Sequence, residues 1–511
     1  MLENYLHLIR PGIDTHQELV VYMRQDCHVC RSEGFTAHSR VRIQVGERSA
    51  VATLNIVKGD FLPHNQAALS EAAWRKLKPE EGEKAYFKHA PAVDSMSAVR
   101  GKLYGKPLTT AAAKSVIEDI NAGHYSDIQL AAFVAACSGN RLTLDETVAI
   151  TGAMIDAGQR FKWNSERVLD KHCVGGLPGN RTTPIVTAII AANGLVMPKT
   201  SSRAITSPAG TADTMEVLTD VQLSYDRMAE VVKQTGGCLA WGGSVSLSPA
   251  DDVIIRVERA LDLDSEGQLV ASVISKKVAA GSTHVLIDIP TGPTAKVRSP
   301  EFAARLSELL IGTGAAFGLK VKTIISDGSQ PVGMGIGPAL EARDVLKVLQ
   351  CQTDSPQDLR SRSLAIAAAL LEMSAGNGQR TGTGQSAGNE WLTLATDTLD
   401  SGRAYQKFQE ICLAQGRFSE PELAAHRRTV KATRGGIVSS VNNRILARLA
   451  SLAGAPNAKA AGLDLHVRLG DCVTLGDPLL TVYAEAPGEL EYALDFLMSH
   501  PDGVHIGEEA V

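Results

Sequence analysis

Between Lys171 and Glu216 two stretches, KHCVGGLPGNRTT and KTSSRAITSPAGTADTME, each gather glycines, hydroxyls and a cation into a turn ahead of an apolar run. Glycine lets backbone N–H groups turn inward, hydroxyls add donors, and a following helix start adds positive potential, so such turns favour an anion. These residue types in this spacing point to phosphate. The intervening PIVTAIIAANGLVMP is apolar and helix-like, yet too short and too polar at its flanks to span a bilayer, and it reads as a covered element of an α/β layer.

The second stretch is more specific than a generic anion turn. Its order Ser201-Ser202-Arg203-Ala204-Ile205, two residues, Pro208-Ala209-Gly210-Thr211, then Asp213 and Glu216 resembles the characteristic motif of the thymidine and pyrimidine-nucleoside phosphorylases at every constrained position. Lys171-His172 followed by Gly175-Gly176 is similar to the phosphate loop of that family. Both stretches are most similar to its long branch, which contains archaeal AMP phosphorylases and bacterial proteins described as thymidine phosphorylases. The resemblance runs from about Pro107 to the C-terminus, with a leading segment shared only with the long branch.

The resemblance implies phosphorolysis of an N-glycosidic bond, which needs an anchored phosphate nucleophile, tolerance of an oxocarbenium-like sugar and help for the departing base. For phosphate it implies Lys171, Gly175, Gly176, Ser201, Ser202 and Thr211, with Arg203, Ala204 and Ile205 in the same loop. A lysine about 4 Å from one negative charge gains about 4 kcal/mol at an effective dielectric near 20. Thr206 and Ser207 stand where short forms carry glycine and histidine, and add hydroxyls where the long branch holds a substrate phosphate; Lys296 matches another of its substrate contacts. Cys173 replaces the serine of short forms with a far weaker donor. Ser272 and Lys276, four apart and therefore on one helix face, match the base-contacting serine and lysine, with Arg256 as a third. Asp264 matches the proton donor of the long branch, although a helix N-cap explains an Asp there equally well, and His172 could donate to the leaving base.

These residues must be held by several domains, because 511 residues exceed one hydrophobic core. The expected fold is a multidomain α/β protein: an N-terminal β domain (1–95), a discontinuous helical lobe (96–165 plus 249–280), a large α/β phosphate-binding domain (166–248 plus 281–425) and a C-terminal α+β domain (426–511). Short β-like runs LVVYM, RVRIQVG and AVATLNIV mark the first. Thr109, the Ser126/Gln129 pair and the Thr143/Glu146 pair mark three successive helix starts in the second. VLIDIP and VKTIIS read as strands of the third, and the resemblance places the cleft between it and the helical lobe. Gly333, Gly335 and Gly337 form a GxGxG that reads as the turn starting a helix rather than a dinucleotide loop, since no acidic residue follows a second strand at the expected spacing. Residues 374–389 read as a loop, and VRLGDCVTLGDPLL resembles the hammerhead of lipoyl and biotinyl domains without a carrier lysine at its turn.

Composition narrows the partners. A net charge of −5 argues against a nucleic-acid surface, which needs a basic excess. Charged residues at 21% and hydrophobic ones at 44% suit a globular enzyme. The N-terminus carries no signal-like pattern, so a cytoplasmic protein without a membrane partner is expected, acting on a small-molecule nucleoside or nucleotide and phosphate as a homodimer or larger homo-oligomer. Eight scattered cysteines argue against a disulfide framework, and Cys27 and Cys30 lack a second pair to complete a zinc site; no metal and no cofactor besides co-substrate phosphate are expected.

Within this reading thymidine, or another pyrimidine nucleoside, competes with AMP or another nucleoside 5′-monophosphate, whose extra phosphate would require the donors Thr206, Ser207 and Lys296. An anthranilate-phosphoribosyltransferase-like reaction would need a Mg²⁺ site, for which the Gly-rich region offers no acidic pair. A nucleotide sensor without catalysis is the remaining class.

Overall fold

The computed structural model describes residues 4–204, 207–245, 247–261, 263, 265–375 and 386–507. The chain divides into two compact units, one of residues 1–157 with 249–268, the other of 158–248 with 269–511.

The first unit begins with a closed six-stranded barrel of β1 (Tyr5–Ile9), β2 (Val20–Arg24), β3 (Arg40–Val45), β4 (Arg48–Val57), β5 (Gln66–Leu69) and β6 (Lys84–His89), in the order β1-β5-β2-β4-β3-β6. Alternation sends Leu6 and Leu8, Val41 and Ile43, and Ala85 and Phe87 inward, and closure leaves no edge strand. Cys27 and Cys30 are buried free thiols, and Cys27 caps the helix His28–Glu33 by accepting from the Cys30 N–H at 3.3 Å. The helical part follows as the sequence signals require. Thr109 caps Thr110–Asn121, Ser126 and Gln129 close a capping box on Asp127–Cys137, and Thr143 and Glu146 exchange the same pair of bonds before Leu144–Ala157.

In the second unit, β7 (Leu169–Cys173), β8 (Met197–Ser201), β9 (Gly237–Trp241), β10 (His284–Thr291) and β11 (Lys320–Asp327) form a parallel layer ordered β11-β10-β7-β8-β9, in which a single bridge between Val168 and Val196 joins the two halves. The apolar run after the first anion turn is a helix only over Thr182–Ala192; Gly194, at φ +75°, turns the chain into β8, so the stretch read as one element is two. The helix Glu266–Ala279 was expected to belong wholly to the helical lobe. From Leu269 onward it belongs instead to the second unit, because Val270, Val273 and Ile274 pack with Val285, Ile287 and Ile289 of β10.

A C-terminal pair of sheets completes this unit: β12 (Gly335–Ile336), β13 (His426–Lys431), β15 (Gly462–Leu465) and β17 (Pro478–Ala484) in one, with β14 (Gly436–Val441), β16 (Cys472–Val473) and β18 (Val504–Gly507) in the other. The glycine run is the turn that starts the helix Pro338–Leu349. Its N–H groups are filled from within: Asp344 accepts from Met334 and Gly335, Asp358 from Gly333, and Glu341 from Gly337. Of the expected loop at 374–389, residues 376–385 lie outside the described residues, while Ala375 still ends the helix Gln357–Ala375 and Ser386 already begins the helix Ser386–Asp400. No described helix is long and apolar enough to cross a membrane.

Candidate active site

The two anion turns lie at the carboxyl ends of β7 and β8, the edge where open parallel sheets take their ligands. Strand alternation divides β7. Asp170 and His172 share one face, Lys171 and Cys173 the other. Lys171 is almost fully buried, and its ammonium donates to the hydroxyls of Thr182 at 2.6 Å and Thr183 at 3.4 Å, at the start of the next helix. Burial lowers its pKa against the pull of Asp288 on β10. An ammonium held in a buried site by hydroxyls is where an anionic ligand gains most. Cys173 accepts from the Asn180 amide at 3.3 Å, and burial pushes its thiol up to about 11, so it stays protonated at neutral pH.

The opposite face is a cluster of cations. Asp170 lies 3.3 Å from the Lys199 ammonium and 2.8 Å from that of Lys277, all three buried. Burial pushes the Asp170 carboxyl up, but the two lysines outweigh it and hold it below its ordinary value. With both lysines protonated the group carries a net positive charge, and burial brings Lys277 down to about 7, so that excess is present below neutral pH and fades above it. His172 lies among these charges. Burial, then Lys277, Lys199, Lys171 and Lys276, drive its pKa well below the usual histidine range, so it is a neutral imidazole. Lys276 therefore acts on His172 from the helix that also carries Ser272, which is half-buried.

Glycine conformations let the loops meet. Gly176, at φ +77°, passes so close to Lys296 that a Cβ would stand 2.9 Å from the Lys296 Cβ and 3.1 Å from its nitrogen. Gly175 is likewise left-handed at φ +92°. In the second loop a Cβ on Gly210 would stand 2.4 Å from the Ser202 carbonyl oxygen, so only glycine allows the turn. The Asp213 carboxylate then gathers the Ala204 N–H at 2.7 Å and the Gly210 N–H at 2.9 Å.

Other residues of this loop divide between bracing it and facing outward. Arg203 is engaged by Asp213 at 3.0 Å and by Glu216 at 2.6 Å while its guanidinium stacks 4.8 Å over the Trp241 ring, so its charge organises the loop. Ser207 donates to the Ala209 carbonyl at 2.7 Å. The Ser201 hydroxyl oxygen, by contrast, is buried without a hydrogen-bond partner among the described residues. Ser202 is exposed, with its carbonyl accepting from the Ala212 N–H at 3.2 Å. Thr211 begins the helix Thr211–Leu218 and accepts from Arg181 at 3.4 Å. Contacts thus run from Lys171 through Thr182 and Arg181 to Thr211, which joins the two turns. Ile205, Thr206 and Asp264 lie outside the described residues; the cap of the helix Glu266–Ala279 is supplied by Ser265, which accepts from the Gln268 N–H at 3.3 Å. Arg256 is not free for a base, since it forms a two-pronged pair with Asp127 at 2.8 and 2.6 Å.

Comparison with known proteins decides the family. The glycosyl transferase family helical bundle domain matches residues 96–158, the a/b domain of that family residues 165–405, and the pyrimidine nucleoside phosphorylase C-terminal domain residues 437–499. The chain is 61% identical over 508 residues, 99% of either chain, to a protein of Hahella chejuensis named "Putative thymidine phosphorylase". The chain belongs to the thymidine and pyrimidine-nucleoside phosphorylase family. Relatives of the same name occur in Polaromonas, at 57% identity over 99% of this chain and 97% of the other, and in Legionella pneumophila strain Paris, at 53% over 99% and 96%. Anthranilate phosphoribosyltransferase of Thermus thermophilus shares the fold at TM-score 0.51 and 19% identity, over 62% of this chain and 99% of its own. This family member is a pentosyltransferase, a nucleoside phosphorylase by family. Sequence reading missed Asp170, Lys199 and Lys277 on one face of the first turn's strand and Asp288 on the other, since buried charges brought together from β7, β8, β10 and a helix have no local spacing to betray them. Arg181 and Asn180 were within the quoted motif, yet their contacts, to Glu341 and Asp288, lie far along the chain.

Proposed function

We propose that this enzyme catalyses reversible phosphorolysis of thymidine to thymine and 2-deoxyribose 1-phosphate. The observation that carries the reading is the joining of the two anion turns by buried contacts that run from Lys171 through Thr182 and Arg181 to Thr211, with a second buried group of cations around Asp170 on the other face of β7. A phosphate oxygen bonds to C1′ as the C1′–N bond breaks, and the bonding pair leaves with the base. The cradle holds the negative charge of the attacking group, while neutral His172 donates a hydrogen bond to the departing pyrimidine without competing for phosphate. Ser272 and Lys276 contact the base, Asp264 supplies its proton, and Lys296, pressed on Gly176, serves the phosphate loop. Inorganic phosphate is the co-substrate and no cofactor takes part; the working form is a cytoplasmic homodimer or larger homo-oligomer.

The nucleoside 5′-monophosphate reading needs a second anion site at Thr206, Ser207 and Lys296. Ser207 commits its hydroxyl proton to Ala209, which leaves it an acceptor towards a ligand and favours the unphosphorylated substrate. Base release from thymidine, uridine, adenosine, AMP and thymidine monophosphate, each with and without phosphate, tests the proposal. Phosphate-dependent thymine from thymidine is expected; release from AMP alone overturns the assignment, and release without phosphate overturns phosphorolysis.

A further inference from the structure

Arg181 and Glu341 meet in the interior from elements 160 residues apart. Arg181 directly precedes the helix Thr182–Ala192, whose first residue holds Lys171, and Glu341 lies, fully buried, in the helix Pro338–Leu349. The guanidinium uses its three nitrogens in three directions. Nε donates to the Glu341 carboxylate, Nη2 to the Ala209 carbonyl at 2.6 Å, and Nη1 to the Thr211 hydroxyl at 3.4 Å. Glu341 in turn accepts from the Thr214 hydroxyl at 2.9 Å and from the Gly337 N–H at 3.3 Å. One buried pair thereby touches the end of the first anion turn, the end of the second, the first turn of the helix after it, and the start of a third helix.

We propose that Arg181 and Glu341 are positioning residues that brace the two anion turns against each other and so set the geometry of the phosphate site. The proposal rests on the phosphorolysis reading. Three contacts at fixed angles suit a planar fork and exceed what one lysine ammonium can reach from the same stem. A buried ion pair is weak evidence of stability, since its desolvation cost is comparable to its attraction. What this pair holds are loop atoms, the Ala209 carbonyl and the Thr211 hydroxyl, whose displacement would misplace the donors beside them.

Inorganic phosphate is titrated calorimetrically into the full-length wild-type protein, Arg181→Lys, and the double variant Arg181→Met/Glu341→Gln, with the melting temperature of each recorded without ligand. The double variant leaves no uncompensated buried charge, and the amide at position 341 can accept from the Gly337 N–H through its oxygen and donate to the Thr214 hydroxyl oxygen through its NH2. It therefore tests positioning, where a single neutral substitution would strand one charge in the interior and endanger the fold. Both variants are expected to keep wild-type melting within a few degrees and to bind phosphate at least about tenfold more weakly, the order of one lost charge-assisted bond. In turnover, KM for phosphate should rise more than KM for the nucleoside. Wild-type phosphate affinity in the double variant, or full rescue by lysine, overturns the brace. A folded wild-type protein that binds no phosphate overturns the phosphorolysis reading itself, and the brace with it.

Discussion

The Lys277 ammonium lies 2.8 Å from Oδ2 of Asp170, on the face of β7 that also carries His172. Lys199 shares the same carboxylate from β8, Cys238 of β9 lies beside them as an un-ionised thiol pushed up to about 12 by burial, and Lys276 adds its charge from the helix. Histidine at this point is hemmed by cations. Its ring should remain neutral from about pH 6 to 8, where an ordinary histidine titrates. Ring-proton NMR against pH checks this, and Lys277→Met should move the His172 titration back toward the ordinary range. A wild-type ring that titrates normally would mean that the cluster does not govern it.

Lys277 also predicts a slope in stability. Its folded pKa, about 7, lies below the ordinary 10.5, so the unfolded chain binds more protons between those values. The penalty for holding it charged is fully present below about pH 7 and fades as pH rises toward 10.5. Urea unfolding at both ends of that window should show wild type gaining stability relative to Lys277→Met at the alkaline end. A constant difference between the two proteins would contradict the shift.

Lys171→Met should weaken phosphate binding while preserving the fold. The methionine fills nearly the same buried volume, and the Thr182 and Thr183 hydroxyls lose only a donor. Removing one charge-assisted contact is worth about 1.5 to 3 kcal/mol, or about ten- to a hundredfold in phosphate KM. Steady-state kinetics at varied phosphate measures it, and an unchanged KM would remove Lys171 from the cradle.

Gly210→Ala should abolish activity through the backbone. The new methyl would stand 2.4 Å from both the Ser202 oxygen and the Arg203 carbonyl carbon, neither of which is a flexible side-chain end. The second turn must open, and phosphate-dependent thermal stabilisation should disappear. Retained stabilisation by phosphate would show that this turn does not bind it.

Lys296→Ala separates the substrates. The Lys296 backbone and Cβ, which alanine keeps, lie against Gly176, so the substitution removes only the ammonium beside that turn, and its loss should raise KM for phosphate equally whether the partner is thymidine or thymidine monophosphate. A loss confined to the monophosphate would place a 5′-phosphate at Lys296 and favour the nucleotide reading.

What the sequence determined by itself was local: three helix starts at Thr109, Ser126 and Thr143, the period-2 runs of the barrel, the strands read at 285–290 and 321–326, which the structure extends by one residue at each end, and two glycine turns whose composition suits an anion. Capping, alternation and backbone freedom act over a few residues, so spacing records them. Tertiary structure decided the rest. Arg203, which stands among the motif residues, faces Asp213, Glu216 and Trp241; Arg256 faces Asp127; and Ser272 and Lys276 join the unit of the two glycine turns because their helix packs its apolar side on β10. Only the folded chain brings Asp170, Lys199 and Lys277 together, or sets Glu341 on Arg181, because the desolvation that makes a charge consequential depends on what is packed around it, not on its neighbours in sequence.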